Sequence, residues 1–123
     1  MDELLETALR KAIEFLDSRR YRYAVVGGVA LSQWGAVRAT LDVDIKVHVP
    51  EVDFTAVRVA IRAAFPIRAR QHVPENPLIV AVVIEDIIVD FLLAVPGYEE
   101  NIIQRAVQHN LGGFSAWVCS AEI

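Results

Sequence analysis

The chain has 123 residues, 54% of them hydrophobic, with one cysteine and a formal net charge of −4. That length suits one domain, residues 1–123, able to bury its own core, and the acidic balance argues against a surface that coats nucleic acid through many phosphate contacts. Cys119 alone allows no intramolecular disulfide and no zinc site of paired thiolates, which fits a reducing cytoplasm.

Residues 2–18 place Leu5, Leu9, Ala12, Ile13 and Leu16 at helical spacing, with acids in the first turn and Arg19 and Arg20 at the end, as the helix macrodipole favours. The charges in this helix, Glu6, Arg10, Lys11 and Glu14 among them, exclude a signal peptide. No later stretch is apolar for long enough to span a bilayer, because Glu85, Asp86 and Asp90 interrupt the greasiest segment, and no membrane partner is expected.

Tyr23 to Val26 is a short strand that stops at Gly27-Gly28, and Val29, Ala30, Leu31 and Trp34 then suggest a short helix closing near Gly35. From Asp42 to Val49 the residues alternate strictly, with Asp42, Asp44, Lys46 and His48 on one face and Val43, Ile45, Val47 and Val49 on the other. This is a half-buried strand with a polar working face. Phe54 to Phe65 reads as a helix ended by Pro66, followed by a loop to Pro77. Leu78 to Ile84 and Ile87 to Val95 form a hairpin across Glu85-Asp86, with Asp90 in its second strand. Glu99 to Val107 looks helical, Gly112-Gly113 turns the chain, and Phe114 to Cys119 is a last strand.

Side chains two apart on a strand share a face, so Asp42 and Asp44 project together about 6.6 Å apart at their Cα atoms. If the strand bearing Asp90 lies beside them, a third carboxylate joins the same small volume. Three acids so placed repel unless a cation neutralises them, and oxygen-only ligands favour Mg²⁺ or Mn²⁺ over zinc. Gly27 and Gly28 stand between a strand and a helix, where the backbone can approach an anion and offer N–H donors to phosphate. Lys46, on the face of the acids, and Arg38, on the loop before them, are candidate phosphate partners, set against a Lys that simply pairs with Asp44 and an Arg that staples its loop. Thr40 is expected to hydrogen-bond locally and order the Asp42 carboxylate or its loop. His48 reads as surface, His72 and His109 as loop residues, and Trp34 and Trp117 as core aromatics. The arginines at positions 19, 20, 22, 58, 62, 68 and 70 read as solvated helix faces and ends.

The run Val26-Gly27-Gly28-Val29-Ala30-Leu31, then Arg38-Ala39-Thr40-Leu41-Asp42-Val43-Asp44-Ile45, then Val89-Asp90-Phe91 resembles the nucleotidyltransferase superfamily, and within it most closely the abortive-infection (AbiE) toxin type. The resemblance implies an α/β (α+β) nucleotidyltransferase fold, a mixed β-sheet of about four to five strands flanked by helices. It implies transfer of a nucleoside monophosphate from a nucleoside triphosphate to a hydroxyl of RNA, protein or a small molecule, in a toxin-antitoxin or antibiotic-modifying setting. Asp42, Asp44 and Asp90 would be the metal ligands and catalytic acids, and Gly27, Gly28, Arg38 and Lys46 would bind the nucleotide. A nucleotide-binding or regulatory module that keeps the fold without catalysis is the alternative. Relatives of the AbiE type continue past a segment like Val118-Cys119-Ser120-Ala121-Glu122 into a helical region. The chain ends at Ile123, so a domain lacking that extension is expected, with apolar surface left near the C-terminal strand and a homodimer or partner complex formed through the C-terminal half.

Overall fold

The computed structural model describes residues 3–27, 42–49, 53–67, 76–94, 97–111 and 113–120. In chain order these form helix α1 (Glu3–Ser18), strands β1 (Tyr23–Val26) and β2 (Asp42–His48), helix α2 (Phe54–Ala64), strands β3 (Ile79–Ile84) and β4 (Ile87–Ala94), helix α3 (Tyr98–Gln104), and strands β5 (Val107–Asn110) and β6 (Ser115–Val118). The strands make one mixed six-stranded sheet in the order β3-β4-β2-β1-β6-β5. The expected α/β class holds, with more strands than the four to five anticipated.

The amphipathic pattern of α1 decides which way it faces: Leu5, Ala8, Leu9, Ala12, Ile13 and Leu16 are all buried. They pack on one face of the sheet with Val57 and Ile61 of α2, against Val43, Ile45 and Val47 of β2 and Val89 and Phe91 of β4. Phe91 is fully buried. Its ring stacks on Phe65 at 6.2 Å between centroids and meets Phe15 edge-on at 6.5 Å, so a single aromatic cluster ties α1, the end of α2 and β4 together. Among the described residues the opposite face is covered by α3, through Ile103 packed with Ala24 of β1 and Ala94 of β4. The acids of β2 and β4 lie on that second face.

The hairpin between β3 and β4 turns in two residues, since Ile84 pairs with Ile87. Glu85 (φ 52°) and Asp86 (φ 64°) both take left-handed backbone, as a turn matched to the strand twist requires. Glu85 is held from outside by an ion pair with Lys11 of α1.

Two expectations give way at the C-terminal end. The helix stops at Gln104, and Val107–Asn110, expected to be its end and a loop, is a strand paired antiparallel with β6. A strand carrying His109 therefore replaces the loop expected there. Trp117 is 44% exposed and is no core aromatic, whereas its neighbours Ala116 and Val118 are buried. The short helix expected after Gly28, and with it Trp34, lies outside the described residues, as does His72. Among the described residues no helix is long and apolar enough to cross a membrane.

Candidate active site

The strict alternation of β2 sorts its side chains as its sequence requires. Val43, Ile45 and Val47 are buried against α1 and α2, while Asp42, Asp44, Lys46 and His48 face the side of α3. Strand β4 runs parallel to β2, with Asp44 registered on Asp90 and Asp42 on Ile88. In a parallel pair, registered residues point to the same side, so the two carboxylates stand side by side about 4.8 Å apart at their backbones. Asp44 and Asp90 are half-buried, and the Oδ1 atom of Asp90 is withdrawn from solvent. Asp42, one pleat earlier and at the open end of the strand, is exposed.

Strand β1 flanks β2 on its other side and brings Val26 opposite Asp44. The chain then turns at Gly27, whose φ of 70° lies in the region that glycine alone enters freely. A Cβ placed on Gly27 would lie 2.5 Å from Oδ2 of Asp44. The glycine backbone thus leans directly on the carboxylate, and a side chain of any size would push it away. Lys46 is half-buried one pleat beyond Asp44, between Ala24 and Leu92, and is a cation on the face of the acids. His48 lies a further pleat away, opposite Ala94. Gly28, Arg38 and Thr40 lie outside the described residues.

Ala81, the partner of Asp90 on β3, was not singled out from the sequence. The one available signal was an alanine inside the branched run Ile79-Val80-Ala81-Val82-Val83, which carries little weight before the register is known.

The described donors on this face are carboxylate oxygens, with no thiolate beside them and the nearest β2 imidazole two pleats from Asp44. That set fits a hard cation such as Mg²⁺ or Mn²⁺ rather than zinc. Among the described residues no three His, Cys, Asp or Glu side chains form a group that could hold a metal ion unaided. Asp44 and Asp90 form a two-acid platform, with Asp42 at its exposed edge.

The sequence matches no protein-family model and no curated protein. A solved structure does resemble it: a protein of Thermotoga maritima, provisionally described as a nucleotidyltransferase, superposes over 93% of this chain and 76% of its own, with a TM-score of 0.64 at 15% sequence identity. The two chains share a fold. It is nucleotidyltransferase-like, a mixed sheet flanked by helices, and the acids of β2 and β4 occupy one face of that sheet.

Proposed function

We propose that this chain is a metal-dependent nucleotidyltransferase that moves a nucleoside monophosphate from a nucleoside triphosphate to a hydroxyl of RNA, protein or a small molecule. The observation that carries the proposal is the registration of Asp44 on Asp90 with the Gly27 backbone against the Asp44 carboxylate. In the reaction a bond forms between the acceptor oxygen and the α-phosphorus, the bond from that phosphorus to the bridging oxygen breaks, and pyrophosphate leaves. Mg²⁺ or Mn²⁺, when bound, neutralises charge on the triphosphate and activates the attacking oxygen.

Asp42 and Asp44 would hold the cation, which would offset the charge of the triphosphate. Asp90 has its Oδ1 removed from solvent, and it aligns the acceptor hydroxyl and takes part in removing its proton. Gly27 and Gly28 bring the backbone close to the β- and γ-phosphates, while Lys46 and Arg38 offset phosphate charge. Positioning and charge neutralisation therefore supply most of the rate. A toxin-antitoxin role of the AbiE type, a cytoplasmic setting, and a second copy or a partner held against the exposed Ile67, Leu78 and Ile79 at the β3 edge belong to the same proposal.

The test is incubation of the whole chain with each α-³²P-labelled nucleoside triphosphate, Mg²⁺ or Mn²⁺ and cell extract. Label should transfer to one acceptor class. Asp44→Asn and Asp90→Asn should each lower transfer by at least about 100-fold with the melting temperature little changed. Substantial transfer by either variant refutes the metal roles, and triphosphate binding without any transfer assigns the chain as a binding module instead.

A further inference from the structure

At the end of the sheet away from Gly27, the last turn of α1, the start of β1, the end of α3 and β6 enclose a groove of about 430 Å³. Its walls include Trp117, Arg20, Arg22, Asp17, Gln104 and Ile103. The groove is not part of the acidic site. Arg22 stands at the level of His48, whose N–H donates to the Arg22 carbonyl at 2.8 Å, whereas Asp44 pairs with Val26 at the far end of β1. Four residues of strand, about 13 Å, separate the two levels, and Ile103 of α3 packs between them on Ala24 and Ala94.

Three features of the groove need explaining. Trp117 leaves 44% of its surface exposed on a strand whose adjacent residues are buried, and its backbone N–H donates to the Tyr23 hydroxyl at 3.4 Å, which holds the strand in place. Arg20 is the left-handed residue that closes α1, with φ 58°. Its N–H donates to the Asp17 carbonyl at 3.0 Å, and that of Tyr21 to the Leu16 carbonyl at 2.9 Å. Glycine is the favoured residue at this position of a helix stop, so an arginine there gives up stability to present a guanidinium. Finally, neither Arg20 nor Arg22 takes part in the ion pairs of the helix beside them, which join Arg10 to Glu6 and Lys11 to Glu85.

An exposed indole, two guanidinium groups and a carboxylate are the complement of a nucleotide: a stacking surface, two phosphate partners and an acceptor for a base N–H. The volume falls within the usual range for a small-molecule site. An acidic peptide would gain from the arginines but offers no planar base to lie on the exposed indole, so the combination favours nucleic acid. We infer that this groove binds single-stranded nucleic acid, one base stacked on Trp117, the flanking phosphates on Arg20 and Arg22, and the base edge donating to Asp17. The inference does not rest on the transfer reaction, because none of these residues belongs to the acidic site.

The probe is a 5′-fluorescein oligouridylate titrated with the full chain and followed by anisotropy over a salt series. Two phosphate contacts on a single strand predict a slope of log K against log salt of about −1.4, and Arg20→Gln or Arg22→Gln should each reduce it to about −0.7. Trp117→Ala should weaken binding about tenfold, and Trp117→Phe, which keeps an aromatic face, should retain most of it. Asp44→Asn should bind as the parent does, so failure of the transfer proposal leaves this result intact. Competition by uridine monophosphate also supports the site, since it presents the same base and phosphate. Absence of binding, binding unchanged in all three groove variants, or equal competition by a polyglutamate peptide overturns the inference.

Discussion

At the scale of the residue, Gly27 makes the sharpest demand. Its left-handed φ would cost an alanine about 1–2 kcal/mol, and the added methyl would meet Oδ2 of Asp44 at 2.5 Å. Gly27→Ala should therefore fold with reduced stability and, by displacing the carboxylate, lose about 100-fold in nucleotidyl transfer. Turnover at the parental rate would show that the contact is incidental. Tyr23 makes a separate demand, because burial pushes its hydroxyl up from 10.0 to about 12, aided by the Asp17 charge and opposed by the hydrogen bond from Trp117. The folded state thus keeps a proton that the unfolded chain gives up near pH 10. Stability from this group is fully present below pH 10 and declines as pH rises toward 12. A Tyr23→Phe variant, compared by denaturant midpoint across that window, should show a shallower alkaline decline than the parent. Much at this scale was legible in the sequence: the alternation from Asp42 to Val49 put two acids on one face. That Asp90 stands level with Asp44 was not, because the register between strands 46 residues apart in sequence is a tertiary property.

At the scale of the element, the hairpin could be read from two apolar runs around Glu85-Asp86, and the structure places its turn at those two residues. Neither is the Asn-Gly or Asp-Gly pairing that such a turn favours. Asp86→Gly should therefore stabilise the chain by about 0.5–1 kcal/mol, read as a higher denaturant midpoint at unchanged slope. A lower midpoint would mean that the left-handed backbone at Asp86 carries no penalty. Glu85 is best left alone, since it pairs with Lys11. The segment after α3 was misread for a physical reason. Ile102, Ile103, Ala106 and Val107 continue a helical apolar spacing, while Val107-Gln108-His109-Asn110 is too short and polar to announce a strand. Pairing with β6 overrides local preference there. Trp117 points away from the α1 side on which Ala116 and Val118 are buried, and is exposed rather than buried as expected of a core aromatic.

At the scale of the whole molecule, among the described residues α1 and α2 cover one face of the sheet and α3 the other, and the two edges of the described sheet differ. The β5 edge mixes Gln108 and Asn110, polar residues that suit contact with water, with Val107 at 42% exposure. The β3 edge instead leaves Leu78 at 38%, Ile79 at 37% and Ile67 at 57% exposure, with Ile67 bridged to Val82 beside it. Pro66 and Ile67 already pair with Val82 and Val83, so a second chain would add at the Ile79 end of β3, and a second copy joined about a two-fold axis is the simplest partner. The sequence points to open apolar surface near the C-terminal strand, where Trp117 is 44% and Val107 42% exposed, and the β3 edge adds Leu78 and Ile79. Light scattering coupled to size exclusion should return twice the 13.7 kDa chain mass, and Ile79→Lys, which sets a charge on the edge, should shift it toward the single-chain value. The groove at Trp117 lies at β6 and β1, away from this edge, so oligonucleotide binding should be the same in the Ile79→Lys variant as in the parent. A monodisperse monomer at high concentration would remove the β3 edge as a self-association surface.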